Sequence, residues 1–182
     1  MHYGGMPDAP VLTGSRVTLR APRPEDADAI FERIASDPEV TRYLAWITHP
    51  DVAETRRVIA ELFNVESNDK SLLIELRDGG GPIGLCGWRR PQSFSVELGY
   101  CLGRRWWGQR FMSEVLPLLL DEVQRDPAVY RVYAYCHVEN TRSARLLEGG
   151  GLMPEGRLAR FGMFPNLSSE PQDCLLFGKA VK

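Results

Sequence analysis

The sequence predicts a single mixed α/β domain, with a central mixed sheet of about six to seven strands and flanking helices. Three observations predict it. Short runs alternate apolar and polar residues at period two, other segments carry apolar residues at helical spacing, and the two kinds interleave along the chain. No internal repeat or linker-like composition shift divides the 182 residues, a length that suits one domain with a substantial core. Residues 1–10, rich in Gly and Pro, read as a flexible leader, and the folded domain is expected over 11–182.

The elements follow in order. Val11 to Ala21 suggests a short hairpin or strand, with Val17 and Leu19 alternating against Arg16, Thr18 and Arg20. Pro24-Glu25-Asp26 opens a helix, with proline and acids in the first turn and Ala27, Ile30, Phe31 and Ile34 on one stripe, and Asp37-Pro38 stops it. Val40 to Trp46 is a short apolar segment, after which Pro50-Asp51 starts a second helix carrying Val52, Val58, Ile59, Leu62 and Phe63. A meander follows. Ser71 to Arg77 is one strand, the turn Asp78-Gly79-Gly80-Gly81-Pro82 leads into Ile83 to Arg90, and Phe94 to Leu102 is the third. In that third strand Phe94, Val96, Leu98, Tyr100 and Leu102 share one face, and Glu97, Gly99 and Cys101 the other. Gln109 to Arg125 is helical by pattern, with Pro117 expected to kink it. Tyr130 to Val138 is a strand, and Asn140 caps a helix over Thr141 to Glu148 that ends in Gly149-Gly150-Gly151. Arg157 to Met163 and Cys174 to Val181 are the last strands, joined by the polar loop Pro165 to Asp173.

Composition excludes several classes. Apolar residues make up 43% and the formal net charge is -2, so no general electrostatic case exists for nucleic acid or an anionic membrane. The four tryptophans read as core or rim residues rather than base-stacking platforms, because no basic groove accompanies them. No apolar run approaches the roughly 20 residues needed to span a bilayer, and the N-terminus lacks the apolar core of a signal peptide. Cys86, Cys101, Cys136 and Cys174 all lie in strand-like contexts without a Cys-x-x-Cys pair. Buried reduced thiols, no metal and a cytoplasmic location are therefore expected.

The stretch Arg105-Trp106-Trp107-Gly108-Gln109-Arg110-Phe111-Met112-Ser113-Glu114 is the most suggestive chemically. It places a glycine turn between a strand and a helix start, where unpaired backbone N–H groups accept an anion. Together with Arg16-Val17-Thr18-Leu19-Arg20, Ile83-Gly84, Glu97-Leu98-Gly99-Tyr100, Asn140-Thr141-Arg142-Ser143 and Pro154-Glu155-Gly156, taken in that order, the chain resembles the GNAT N-acetyltransferases. The resemblance covers Leu12 to the C-terminus and is closest to the RimJ/RimL-type ribosomal-protein alanine N-acetyltransferases.

What the resemblance implies is a GNAT-type fold and an acetyl-CoA site. Arg105, Trp107, Gly108, Gln109, Arg110, Phe111 and Met112 would form the pyrophosphate loop. Arg110 stands where the family has glycine or alanine, at a helix start whose backbone angles an arginine is expected to adopt. Asn140 would contact the pantetheine arm, and Arg142 and Arg145 could reach CoA phosphates. Backbone N–H groups of Tyr100, Cys101 and Leu102 would bind the thioester oxygen. The implied catalytic pair is Glu97, taking the ammonium proton through a water, and Ser143, serving the departing thiolate. Glu97 has a second reading, a strand carboxylate paired with Arg89 or Arg90, and Tyr135 and His137 stand behind it as alternatives. Asp37, Glu39, Asp51, Glu170 and Asp173 lie in segments that the family uses to shape the acceptor cleft.

The expected activity is acetyl transfer to a primary amine, foremost a protein N-terminal α-amine, by direct attack on the thioester. The alternatives are a small-molecule acetyltransferase for a polyamine, amino acid or antibiotic, and a non-catalytic acyl-CoA-binding module. The expected partners are acetyl-CoA and the amine, with the protein a monomer or homodimer.

Overall fold

Eight strands form one sheet in the spatial order β1-β2-β3-β4-β5-β6-β8-β7 in the computed structural model, which describes residues 9–63 and 69–182. Most of the expected leader lies outside the described residues. The strands are β1 (Leu12–Thr13), β2 (Val17–Arg20), β3 (Lys70–Leu76), β4 (Gly81–Gln92), β5 (Ser95–Leu102), β6 (Arg131–His137), β7 (Met153–Gly162) and β8 (Gln172–Ala180). The count exceeds the expected six to seven because Val11 to Ala21 divides into a true hairpin. Leu12 pairs with Leu19, and the Gly14 N–H donates to the Val17 carbonyl.

The first helical stretch is less regular than its spacing suggests. A 3₁₀ turn (Pro24–Asp26) leads into α1 (Ala27–Ile30) and then a π-turn (Phe31–Ala35). Asp37-Pro38 ends this stretch and also begins α2 (Pro38–Thr41), since the Asp37 carboxylate accepts from the Glu39 N–H and proline occupies the first turn. Asp51 caps α3 (Val52–Glu61) in the same way, through the Glu54 N–H. The remaining helices are α4 (Phe111–Gln124), which accommodates Pro117, and α5 (Thr141–Gly149).

The sheet's alternation decides which side chains face which helices. Leu72 and Ile74 of β3 join Met112, Val115 and Leu119 of α4, while Val96 and Leu98 of β5 join Leu116, Leu120 and Leu147. On the opposite face Leu73 packs with Ala27, Ile30 and Ile59 of α1 and α3. Phe94, expected in β5 on the face of Val96 and Leu98, falls in the turn before the strand and is 48% exposed. Its carbonyl accepts from the N–H groups of Tyr130 and Arg131, which ties the start of β6 to β5. The triple glycine closes α5 tightly. Gly151 takes φ +83°, and the N–H groups of Gly151 and Leu152 return to the carbonyls of Glu148 and Leu147.

All neighbouring strands are antiparallel except β5 and β6, which run parallel and pair only at Ser95–Arg131, Val96–Val132 and Glu97–Tyr133. Beyond Glu97 each strand stays bonded to its outer neighbour, β5 to β4 as far as Leu102 and β6 to β8 as far as His137. The two half-sheets diverge, and a wedge opens between Leu98–Leu102 and Ala134–His137.

Candidate active site

The wedge presents polar backbone. Along β5, alternate residues turn their N–H and C=O groups away from β4, and past Glu97 no strand among the described residues stands on that side to receive them. Of the N–H groups assigned to the thioester oxygen, those of Tyr100 and Leu102 face this stretch, whereas Cys101 is in phase with Gly103, whose N–H donates to the Ile83 carbonyl, and so turns its N–H toward β4.

At the mouth of the wedge the chain makes a 3₁₀ turn (Arg104–Trp106) and enters α4. Trp107 fixes this loop to the strand, since its indole N–H donates to the Leu102 carbonyl at 2.7 Å. The Gln109 side chain folds back onto the Arg105 carbonyl at 2.8 Å, and the Gln109 carbonyl accepts from Arg16. Gly108 has φ +75°. Gln109 and Arg110 precede the helix rather than belonging to it, and Arg110 is the N-cap, with a side chain that accepts no hydrogen bond. The first-turn N–H groups of α4 therefore have no side-chain cap and point out of the helix end, as an anion site requires.

Arg110 departs from its expected geometry: it takes φ 62°, ψ 19°, a left-handed conformation instead of helix-start angles. That region disfavours L-residues by roughly 1–2 kcal/mol, which gives glycine at this position a direct steric reason. Arg110→Gly is expected to stabilise the fold by about 0.5–1 kcal/mol, after glycine's greater unfolded-state freedom is subtracted. Arg110→Ala should show no comparable gain. Urea denaturation midpoints of the two variants check this, and equal midpoints would show that the backbone carries no strain.

The second wall is the start of α5. Asn140 Oδ1 accepts from the Ser143 N–H at 3.2 Å, so this side chain acts as the N-cap. Across the wedge the Tyr100 hydroxyl from β5 meets Ser143 Oγ at 2.8 Å. Burial pushes the Tyr100 hydroxyl far above its usual range, against the opposing pull of Ser143, so it stays protonated. This contact was not foreseen; the sequence suggested only backbone roles for Tyr100. Arg142 lies over the Trp107 ring, 4.6 Å from its centroid, and joins α5 to the loop, while Arg145 is exposed on α5.

On the opposite face of β5 stands Glu97, half-buried. Arg89 Nη2 lies 2.5 Å from Glu97 Oε1, and the Tyr133 hydroxyl donates to Oε2 at 3.1 Å. The pairing with Arg89 that the sequence offered as a second reading is thus present, although the Arg89 side chain is 61% exposed and such a pair is weak. Burial and the neighbouring carboxylate push Tyr133 up to about 12, which keeps it a donor. Next along β5, Gly99 is exposed and an added Cβ would meet nothing within 4 Å. The open space thus lies above Gly99, next to a Glu97 side chain that is itself only 16% exposed beneath Arg89 and Tyr133.

Other candidates are engaged elsewhere. Asp37 and Asp51 cap α2 and α3, and Asp37 also pairs with Arg104. Glu170 binds Arg160, and Asp173 binds Arg157 and the Arg160 N–H. His137 is buried, stacked on Tyr43 and met edge-on by Phe164, with Nδ1 accepting from the Glu139 N–H. The four cysteines are free thiols. Burial pushes Cys101 up to about 12 and Cys174 up to about 11, the opposite of an activated nucleophile.

Comparison with known proteins agrees with this geometry. Residues 16–153 match the family model described as an acetyltransferase (GNAT) domain. A Bacillus licheniformis protein named uncharacterized N-acetyltransferase p20 is 33% identical over 81% of this chain and 84% of its own. Two solved structures share the fold at 18% identity. RimL, a ribosomal L7/L12 alpha-N-protein acetyltransferase in complex with coenzyme A, has a TM-score of 0.80 over 94% of this chain and 98% of its own. MccE, the microcin C7 self immunity acetyltransferase in complex with acetyl-CoA and AMP, has a TM-score of 0.79 over 91% and 93%. With a split sheet, an open helix start at its mouth and a sequence match across most of its length, the chain belongs to the GNAT family and is an N-acetyltransferase.

Proposed function

We propose that this chain transfers the acetyl group of acetyl-CoA to a protein N-terminal α-amine by direct attack of the amine on the thioester. The observation that carries the reading is that Glu97, in the last β5–β6 pair at the apex of the wedge, and Ser143, bonded to Tyr100, lie on opposite faces of β5. The base approaches from the open side at Gly99, and the acid stands on the α5 side with Tyr100 behind it.

An α-amine is substantially protonated at pH 7 and must lose its proton before it attacks. Glu97 would accept that proton through a water in the open space beside Gly99. The N–H groups freed along β5 would stabilise the oxyanion of the tetrahedral intermediate, and Ser143 would donate to the thiolate as it leaves. None of the cysteines suits an acetyl-enzyme route, because burial raises their pKa values. The open N-terminus of α4 would receive the pyrophosphate, with Arg105 and Arg110 beside it and Asn140 setting the start of α5 at the pantetheine arm. The acceptor class draws its support from RimL, which has the same fold and acts on a protein α-amine.

Acetyl-CoA at about 100 times its dissociation constant should stabilise the protein by about 2.7 kcal/mol, a shift of roughly 5–10 °C in Tm. Differential scanning fluorimetry reads this. An unchanged Tm across that concentration range would overturn the donor assignment.

A further inference from the structure

The loop between β7 and β8 (163–171) is joined to the loop after α2 through the side chain of Asn166. Its Nδ2 donates to the Thr41 and Trp46 carbonyls, both at 2.8 Å. Its Oδ1 accepts from the Thr48 N–H at 2.9 Å and the Thr48 hydroxyl at 3.0 Å. All four hydrogen-bonding positions of the amide are therefore used, between segments about 120 residues apart in sequence. Thr41 Oγ1 extends the network, at 2.6 Å from Thr48 Oγ1 and 3.1 Å from the Asp37 carbonyl.

The joined loops carry the residues that end the wedge. Tyr43, from the loop after α2, stacks on His137 with ring centroids 5.0 Å apart, and Phe164, in the β7–β8 loop, meets the same imidazole edge-on at 5.2 Å. His137 is the last residue of β6, so the stack covers that strand's C-terminal end. Phe161 extends the cover by packing edge-on against Tyr135. Of the β5 residues on this face, Gly99 is the exposed one, with open space above it, while Ser95 is buried and Glu97 and Cys101 are partly buried.

We propose that Asn166 is a specificity-determining clasp: by locking the two loops together it closes one end of the acceptor chamber, so that the amine enters past Gly99 and Glu97. The inference rests on the proposed transfer reaction for its kinetic readout. Asn166 touches none of the reacting groups; it acts by holding Tyr43 and Phe164 as a wall. The amide is required in kind as well as in size. An aspartate has the same shape but would set a carboxylate against two carbonyl oxygens and lose both donors.

The test uses Asn166→Asp and Asn166→Ala in the full chain, with two readouts. Amide exchange at Thr48 and over 42–48 should accelerate by at least about tenfold while the amides of β4 and β5 keep their protection. With an N-terminal peptide as acceptor, the acceptor KM should rise about tenfold and the acetyl-CoA KM change less than about twofold. Wild-type behaviour of Asn166→Asp in both readouts would overturn the clasp, because size alone would then suffice. A parallel rise of both KM values would also overturn it, by showing general loss of structure. Exchange altered as expected in a protein that acetylates no amine would uphold the clasp and overturn the proposed function instead.

Discussion

Ser143→Ala is expected to lower kcat by about 10²-fold or more with little change in the acetyl-CoA KM, since general acid assistance contributes roughly 10²–10⁴-fold. The physical ground is the arrangement of protons at the Tyr100–Ser143 contact. Either oxygen can donate across 2.8 Å, but Ser143 serves the leaving thiolate only if its own hydrogen is free. Tyr100, buried and protonated, must then be the donor to Ser143 Oγ. That bond orients the serine hydroxyl and makes it a stronger acid. Tyr100→Phe should therefore reproduce part of the Ser143→Ala loss, and the double variant should be no worse than Ser143→Ala alone, the non-additivity of groups acting in one chain. Glu97→Gln should cost a comparable factor through the amine's proton. Steady-state kinetics of the variants decide these roles. Full activity in Ser143→Ala and Glu97→Gln would remove both groups from the mechanism.

The largest effect on stability is expected at Asp26. Its carboxylate accepts both Arg20 Nη groups, at 2.7 and 2.8 Å, and the Arg23 N–H at 2.7 Å, while Arg20 also reaches Glu75 at 2.8 Å. Burial pushes the Asp26 carboxyl upward, but the bonds from Arg20 and Arg23 outweigh it and hold the pKa below the ordinary value. The side chains of Arg20 and Asp26 are only 13% and 8% exposed, so solvent replaces little of what Asp26→Asn removes. Breaking such a pair costs about 3–5 kcal/mol when fully buried, and about 2–3 kcal/mol is expected here because Glu75 still partners Arg20. The sign of the pH dependence follows from the lowered pKa. The contribution is present above the unfolded value of about 3.9 and is lost as pH falls through the folded value. Urea unfolding at pH 7 and below pH 4 should show the gap between wild type and Asp26→Asn narrowing in acid. A gap that does not change with pH would mean that the carboxylate's charge contributes nothing.

The parts of this molecule legible in its sequence are those set by local chemistry. Asp51 and Asn140 announce their helices because an N-cap needs only a side-chain acceptor two or three residues before the N–H it binds. The Gly79–Gly81 turn and the alternation in β5 give the meander, and the order of short family motifs is what assigns Glu97, Gly108 and Ser143 to one expected site. Long-range contacts were not legible. Tyr100 and Ser143 are 43 positions apart, and Asn166 lies in a polar loop with nothing local to distinguish it from a solvated residue. Arg110 shows a different limit. A left-handed residue is read from glycine or asparagine, so an arginine in that conformation gives no local sign of it. The acids at 37, 51, 170 and 173 take part in caps and ion pairs, the last two with arginines of β7, partners that the sequence alone does not reveal.

The most direct measurement is release of the CoA thiol from acetyl-CoA by the wild-type protein, first with N-terminal peptides as acceptors and then with polyamines and amino acids. Saturable release that requires an amine, fastest with a peptide α-amine and lost in Ser143→Ala, is the expected result. Release fastest with a small amine would transfer the acceptor assignment to that class. Binding of acetyl-CoA with no amine-dependent release from any acceptor would contradict catalysis at this wedge.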